Sequence, residues 1–403
     1  MPPPSHVALL TTDFRPMTGG VADHLHRLAE AVAASVPLTV LTPAAQALGA
    51  GTHRYGVQQL PQAPERRLNG SAADRWPPLR RLRTGAYFLQ LHGYGRKTIA
   101  QVESRWGPGA AVLIGLWDMV AHGWCAACRR ANLPYVLFAH GVEITAPLYG
   151  VLPAWRTEDF QAAARVVGNS IATAKLAVER LSLPAQPAVV HPSVGPRPDA
   201  DRIAMRAAGL RRELALASGP VILSLGRLVP RKGFDLALRA AAAVAPDHPD
   251  LTYVIGGDGP ERRRLESLAR DLDLSGRVRF PGNVDDLTKW ALYDLCDLFV
   301  MPNRLLGGAD WEGFGIVFLE AALAGRPSIA GQTGGAADAV EHGVSGLLVD
   351  PESPEALARA LRQLLQDQPL RDRLGRAGAA RAASRFTPSA SAASLSLQLG
   401  WSR

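Results

Sequence analysis

The chain has 403 residues, too many for one ordinary core and enough for two domains. Hydrophobic residues make up 47% and charged residues 20%, the balance of a soluble globular protein. No run approaches the roughly 18 apolar residues of a membrane span, three cysteines cannot build a disulfide framework, and the net charge of +8 suits anionic partners without choosing among them.

The start, Met1-Pro2-Pro3-Pro4-Ser5, has no basic region of the kind that opens a secretory signal, so a reduced, cytoplasmic setting is expected. Val7–Thr11 reads as a strand, followed by a Gly-containing loop over Asp13–Gly20 and apolar residues at helical spacing over Val21–Ala33. Leu38–Leu41, Ala111–Ile114, Tyr135–Ala139, Val166–Gly168 and Ala188–His191 read as further strands, most of them separated by helical patterns. This alternation predicts a parallel, doubly wound α/β sheet. Between the second and third of these runs, residues 65–97 carry Arg66, Arg67, Arg75, Arg80, Arg81, Arg83, Arg96 and Lys97, interleaved with Trp76, Leu79, Leu82, Tyr87 and Phe88. The segment reads either as a surface lying on an anionic membrane or as a solvated basic loop. A nucleic-acid partner fits less well, because the basic residues are confined to one stretch and no recognition motif appears. The pair Cys125/Cys128 lies on an expected helix and is half of a metal site at most.

The Pro-rich stretch 192–201 reads as a linker, after which the alternation restarts. Val221–Leu225, Thr252–Ile255, Arg277–Phe280, Leu298–Met301, Pro327–Ile329 and Gly346–Val349 form a second set of strands, with helices such as Phe234–Val244 and Glu261–Leu272 between them. The expected division is an N-terminal domain over 1–193, a C-terminal domain over 194–386, and a terminal helical segment over 387–403. Two such sheets should face a cleft at the carboxyl ends of their strands, where open α/β sheets bind ligands.

Three loops of the second half carry the chemistry. Gly226–Gly233 (GRLVPRKG) leaves a strand and enters a helix. Arg227 offers a planar fork of donors, Lys232 a point charge, and the helix start its free N–H groups, which together suit a diphosphate. A solvated basic turn is the plain alternative. In 311–320 (WEGFGIVFLE), Glu312 and Glu320 stand eight residues apart around a Gly-containing helix start. A continuous helix would separate them by about 12 Å, too far for a hydrolase pair at roughly 5–9.5 Å. That spacing suits two ends of one elongated ligand, with the Gly315–Ile316 start between. The third loop, 331–335 (GQTGG), adds a glycine pair at a helix start.

These segments resemble the retaining GT-B glycosyltransferases of glycosyltransferase family 4. The likeness runs through ILSLGRLVPRKGFD, YVIGGDGPER, VRFPGNV, the long stretch from MPNRLLGG to GGAADAV, and HGVSGLLVDP. In the first half Gly19-Gly20-Val21 and His140-Gly141-Val142-Glu143 are similar to family stretches, the latter to mannosyltransferases that act on phosphatidylinositol mannosides. The resemblance implies that Arg227 and Lys232 hold the donor diphosphate and that Gly19 and Gly20 approach it. Glu320 would take the ribose, and Val284 would lie near the base. Glu312 would touch the transferred sugar, helped by backbone N–H groups near Phe314, Gly315 and Ile316, with His140 at the reacting end. It also implies a nucleoside-diphosphate sugar as substrate, GDP-mannose favoured over UDP-glucose or UDP-N-acetylglucosamine. Neither a cofactor nor a metal is expected. His191-Pro192-Ser193-Val194 departs from the family's usual Pro-Gly-Val-Asp, a difference confined to the linker. A nucleotide-sugar epimerase and an inactive scaffold are the competing classes. The paired glutamates argue against the first and the intact clamp residues against the second, while a dehydrogenase would need a G-x-G-x-x-G after the first strand.

Overall fold

The computed structural model describes residues 3–15, 17, 19–43, 53–64, 77–307 and 310–401, giving only the helical backbone for 77–84. The apolar runs become strands because they are apolar on both faces, as parallel strands covered by helices on each side must be. In the first unit these are β1 (His6–Leu10), β2 (Leu38–Thr42), β3 (Gly56–Gln59), β4 (Ala110–Ile114), β5 (Tyr135–Ala139), β6 (Arg165–Gly168) and β7 (Ala188–Val189). In the second they are β8 (Val221–Leu225), β9 (Thr252–Gly256), β10 (Val278–Gly282), β11 (Leu298–Met301), β12 (Ser328–Gly331) and β13 (Gly346–Val349).

Each set makes one all-parallel sheet, in the orders β3-β2-β1-β4-β5-β6-β7 and β10-β9-β8-β11-β12-β13. Both are Rossmann-like, and in both the winding reverses beside the first strand. The crevices between β1 and β4 and between β8 and β11 are therefore the places where such a sheet takes a ligand.

The chain divides into a unit of Met1–His191 with Ser391–Arg403 and a unit of Pro192–Ala390. It thus passes between units twice. Within the second unit the two passing segments are tied by the Val194 N–H, which donates to the Phe386 carbonyl at 2.9 Å. Within the first, the final helix Pro388–Gln398 lays Ala392 and Leu395 into the core around Val7, Leu9, Leu25 and Val190, and Leu399 follows just beyond its end. Ser391 donates to the His191 carbonyl at 2.8 Å.

Two elements differ from the sequence reading. β3 pairs with β2, yet its sequence GVQQ is mostly exposed and carries no apolar signal, as an edge strand can. Residues 77–97 are not loop. They belong to a helix over Pro77–Trp106 that packs along the helix Met119–Arg130, while 65–76 lie outside the described residues. Gly95 and Gly123 sit at that crossing, and a Cβ on Gly95 would strike the Gly123 carbonyl. Cys125 and Cys128 are buried in the same helix pair, where burial pushes both thiols up, Cys128 to about 12. They are packed core, not ligands.

Candidate active site

At the carboxyl end of β8 the chain turns through Gly226, at φ +153°, into a 3₁₀ turn over Pro230–Lys232. Gly233 then takes the left-handed conformation at φ +71°, with its α-carbon so near the Pro302 carbonyl that a Cβ would collide. The helix Phe234–Val244 starts there. This path buries the Lys232 side chain and turns Arg227 outward. The Arg227 guanidinium is exposed and has no partner among the described residues.

Lys232 meets Glu312. The carboxylate Oε2 accepts from the Lys232 ammonium, from Arg231 Nη1 at 2.7 Å and from Asn303 Nδ2 at 3.0 Å. Arg231 also pairs with Asp310 at 3.1 Å. Burial pushes the Glu312 carboxyl up, but the Lys232 and Arg231 charges outweigh it and hold it below the usual range. Burial pulls the Lys232 ammonium down, against the opposing charge of Glu312. With two cations and an amide on one oxygen, the ionised carboxylate is the state this geometry stabilises.

The loop 331–335 closes over the same place. The Gly335 N–H donates to the Glu312 carbonyl at 2.9 Å, and Thr333 Oγ1 donates to the Asn303 carbonyl at 2.8 Å. Gly334 and Gly335 lie so near the carbonyls of Glu312 and Gly313 that side chains there would clash. The three loops singled out in the sequence thus meet at Glu312, the first at its carboxylate and the third at its backbone carbonyl.

Glu320 belongs to a different environment. The helix holding it spans only Ile316–Leu323, because Gly315 at φ +90° breaks the path from Glu312. The eight-residue spacing is therefore not a helical rise, and the separation expected from one does not apply. Glu320 is 5% exposed and both its oxygens are engaged, Oε1 by Lys289 at 2.7 Å and Oε2 by the Tyr293 hydroxyl at 3.1 Å. Burial lowers Lys289 and the Glu320 charge more than offsets it, so its pKa rises. Phe314 is core, against Phe386, and offers a ligand only its backbone. Val284 and Ile316 are half-buried on the same core.

In the first unit His140 follows β5. Its Nε2 lies 2.7 Å from the Gly115 carbonyl at the end of β4, and its backbone N–H donates to Glu143. The ring of His24 meets it edge-on at 5.8 Å. His24 is buried with neither ring nitrogen bonded among the described residues, and burial pulls it down to about 3. Thr12 donates to Asp118 at 2.5 Å beside Asp13, whose carboxyl is raised by burial. Gly19 and Gly20 are exposed at the start of the helix Gly20–Val32, and a Cβ on Gly19 would meet nothing within 4 Å. Among the described residues, nothing packs where a side chain at 19 would stand.

Sequence reasoning missed Arg231, Asn303, Lys289 and Tyr293. Arg231 adjoins Lys232 and was legible as a second charge. The other three reveal themselves only through contacts across the fold.

The model of the glycosyl transferases group 1 matches residues 210–381. A GDP-mannose-dependent alpha-(1-6)-phosphatidylinositol monomannoside mannosyltransferase of Mycolicibacterium smegmatis is 30% identical over 380 residues, 92% of each chain. The chain belongs to this glycosyltransferase family. A D-inositol 3-phosphate glycosyltransferase of Thermobispora bispora is 37% identical over 57% of this chain and 54% of its own. Among solved structures, Anabaena HepE in complex with UDP superposes with a TM-score of 0.73 at 21% identity, over 98% of this chain and 99% of that one. That likeness carries the GT-B fold. The chain is a glycosyltransferase, and it takes a nucleotide-sugar donor and an acceptor. Among the described residues no helix is long and apolar enough to cross a membrane.

Proposed function

We propose that this glycosyltransferase moves mannose from GDP-mannose to a hydroxyl of a glycan, lipid-linked or polyol acceptor, with retention at the anomeric carbon. The observations that support it most are an exposed Arg227, without a partner among the described residues, and a carboxylate, Glu312, held by Arg231, Lys232 and Asn303. Arg227 and Lys232 take the diphosphate, with the N-terminus of the helix Phe234–Val244, so Lys232 turns partly from Glu312 as the donor enters. Glu320 takes the ribose hydroxyls in place of Lys289 or Tyr293. Val284 lies by the base, and Gly19 and Gly20 leave room for the phosphates.

Loss of the diphosphate leaves positive charge on the sugar and negative charge on the leaving oxygen. The cations stabilise the second, and Glu312 with the backbone at 314–316 steadies the sugar. His140 presents its ring to the sugar at the reacting end. The leaving phosphate takes the acceptor proton and so directs attack to its own face. No metal takes part in this step, and turnover survives a chelator. The basic segment 65–97 rests on an anionic membrane at the cytoplasmic face, where a lipid-linked acceptor would lie.

The preference for GDP-mannose is supported by the full-length relative, whose name states that donor. The second reading is UDP-glucose, with which Anabaena HepE has also been solved. A panel of nucleotide sugars, scored by thermal shift and donor hydrolysis, decides between them: the largest responses are expected from GDP-mannose, and a larger one from UDP-glucose reverses the assignment. Proton NMR of the product reads the stereochemistry. An α-linked donor gives an α-linked product, and a β-linked one means that a carboxylate acts as general base.

A further inference from the structure

The helix Gly20–Val32 carries His26 and Glu30 four residues apart, so both leave the same face. Facing them is the segment that leads into β3. There His53 Nδ1 lies 2.8 Å from Glu30 Oε1, and the Tyr55 hydroxyl lies 2.7 Å from His26 Nδ1. The rings of His53 and Tyr55 stack at 5.2 Å, and those of His26 and His53 meet edge-on at 5.4 Å. One ligand atom from each of His26, Glu30 and His53 falls within 4.8 Å of the others. Sugar transfer as described above uses none of the three.

We propose that His26, Glu30 and His53 bind a divalent transition metal, zinc by preference, that fastens β3 to the helix Gly20–Val32. Two imidazoles and one carboxylate are a donor set for zinc and its neighbours, whereas calcium and magnesium take oxygen alone. Around tetrahedral zinc, ligand atoms stand about 3.3 Å apart. Glu30 and His53 already touch, and both are partly exposed, so closing the triangle needs only rotation of side chains at its rim. The Tyr55 hydroxyl engages His26 Nδ1, which leaves Nε2 as the ring nitrogen to offer a metal. An outer hydrogen bond of this kind orients a ligating imidazole.

No fourth protein ligand stands near among the described residues. Residues 44–52, AAQALGAGT, contain no His, Cys, Asp or Glu and supply none. Among the described residues and 44–52, the fourth position is left to water. The mechanical consequence lies at the sheet edge. β3 is short, polar and largely exposed, and burial does little to hold it. A metal joining His53 to the helix replaces that missing burial with coordination bonds.

The test uses the full chain, stripped of metal by chelation and dialysis. Zn²⁺ alone, titrated calorimetrically, is expected to bind one equivalent and raise the melting temperature. The double variant His26→Gln/His53→Gln should bind at least about 100-fold more weakly, since losing even an outer-shell partner costs 10–100-fold. Wild-type chain that shows no saturable binding overturns the site. So does a double variant that still takes up one equivalent as tightly, which puts the ion elsewhere. Co²⁺ gives a reading that needs no variant: four- or five-coordinate visible bands without thiolate charge transfer are expected, and a purely six-coordinate spectrum overturns the site.

Discussion

The two sheets share one strand order and differ in what stands at their carboxyl ends. In the second unit the end of β8 and the loop after β11 gather Arg231, Lys232, Asn303 and Glu312 into one ion-paired cluster, with Arg227 exposed beside it. In the first unit the corresponding region holds the facing rings of His24 and His140, with Asp13 and Asp118 nearby, and Gly19, where an added Cβ would meet nothing within 4 Å. The same topology thus carries one carboxylate held by two cations in one copy and a pair of buried histidines near two aspartates in the other. Fold fixes where a ligand goes, and loop residues fix what kind it is.

The sharpest break of this contrast is at Glu312. Changing it to Gln keeps the shape and removes the charge that balances Lys232 and Arg231. Turnover should fall by about 100-fold or more, as when one preorganised electrostatic group is lost, while nucleotide affinity changes little. Glu312→Ala should in addition destabilise the fold by about 3–5 kcal/mol, because it strands a buried ammonium. Calorimetric Kd and melting curves beside initial rates separate the two effects. If Glu312→Gln weakens nucleotide binding as much as it slows transfer, the residue serves the phosphates and not the sugar.

Next comes the clamp. Arg227→Ala should raise the donor Kd by roughly 10- to 100-fold, the weight of a charged hydrogen bond at about 1.5–3 kcal/mol. It should leave the melting temperature unchanged, since the guanidinium holds nothing in the fold. Lys232→Ala should weaken the donor similarly and also lower the melting temperature. Equal stability losses in both would remove the distinction between an exposed and a buried cation. Glu320→Gln should mainly raise the donor KM, by less than either.

The smallest effect belongs to the first unit. His24 is neutral when folded, with its pKa pulled to about 3, against about 6.5 when unfolded. Above pH 6.5 its contribution is complete. As pH falls from 6.5 toward 3 the unfolded chain takes the proton first, so stability is lost at up to about 1.4 kcal/mol per pH unit. Denaturant melts of His24→Leu should show a shallower acid limb than the native chain. An unchanged limb would mean that the folded ring is protonated well above pH 3.

Much of this was legible beforehand, for physical reasons. Parallel strands covered on both faces must be apolar throughout, so runs such as VILSL and YVLFA announce themselves. GVQQ in β3 sits at an edge and need not. The three loops were readable because each joins a strand end to a helix start and carries glycines or charges. The Lys232–Glu312 pair spans eighty positions and no local pattern sets it. The path from Glu312 to Glu320 was misread as continuous helix because the left-handed turn at Gly315 looks, in one dimension, like any glycine at a helix start.

The double passage between units has a consequence in time. The core around Val7, Leu9 and Leu25 is closed by Leu395 and Leu399, which follow His191 by some two hundred positions. At about 5–20 residues per second on the ribosome, that face stays uncovered for roughly 10–40 s after the rest of its unit has emerged. The second unit, continuous in sequence from Pro192 to Ala390, can close first. The half of the molecule translated first is thus the last to be finished, and it is the half that calls for a chaperone's shelter while it waits.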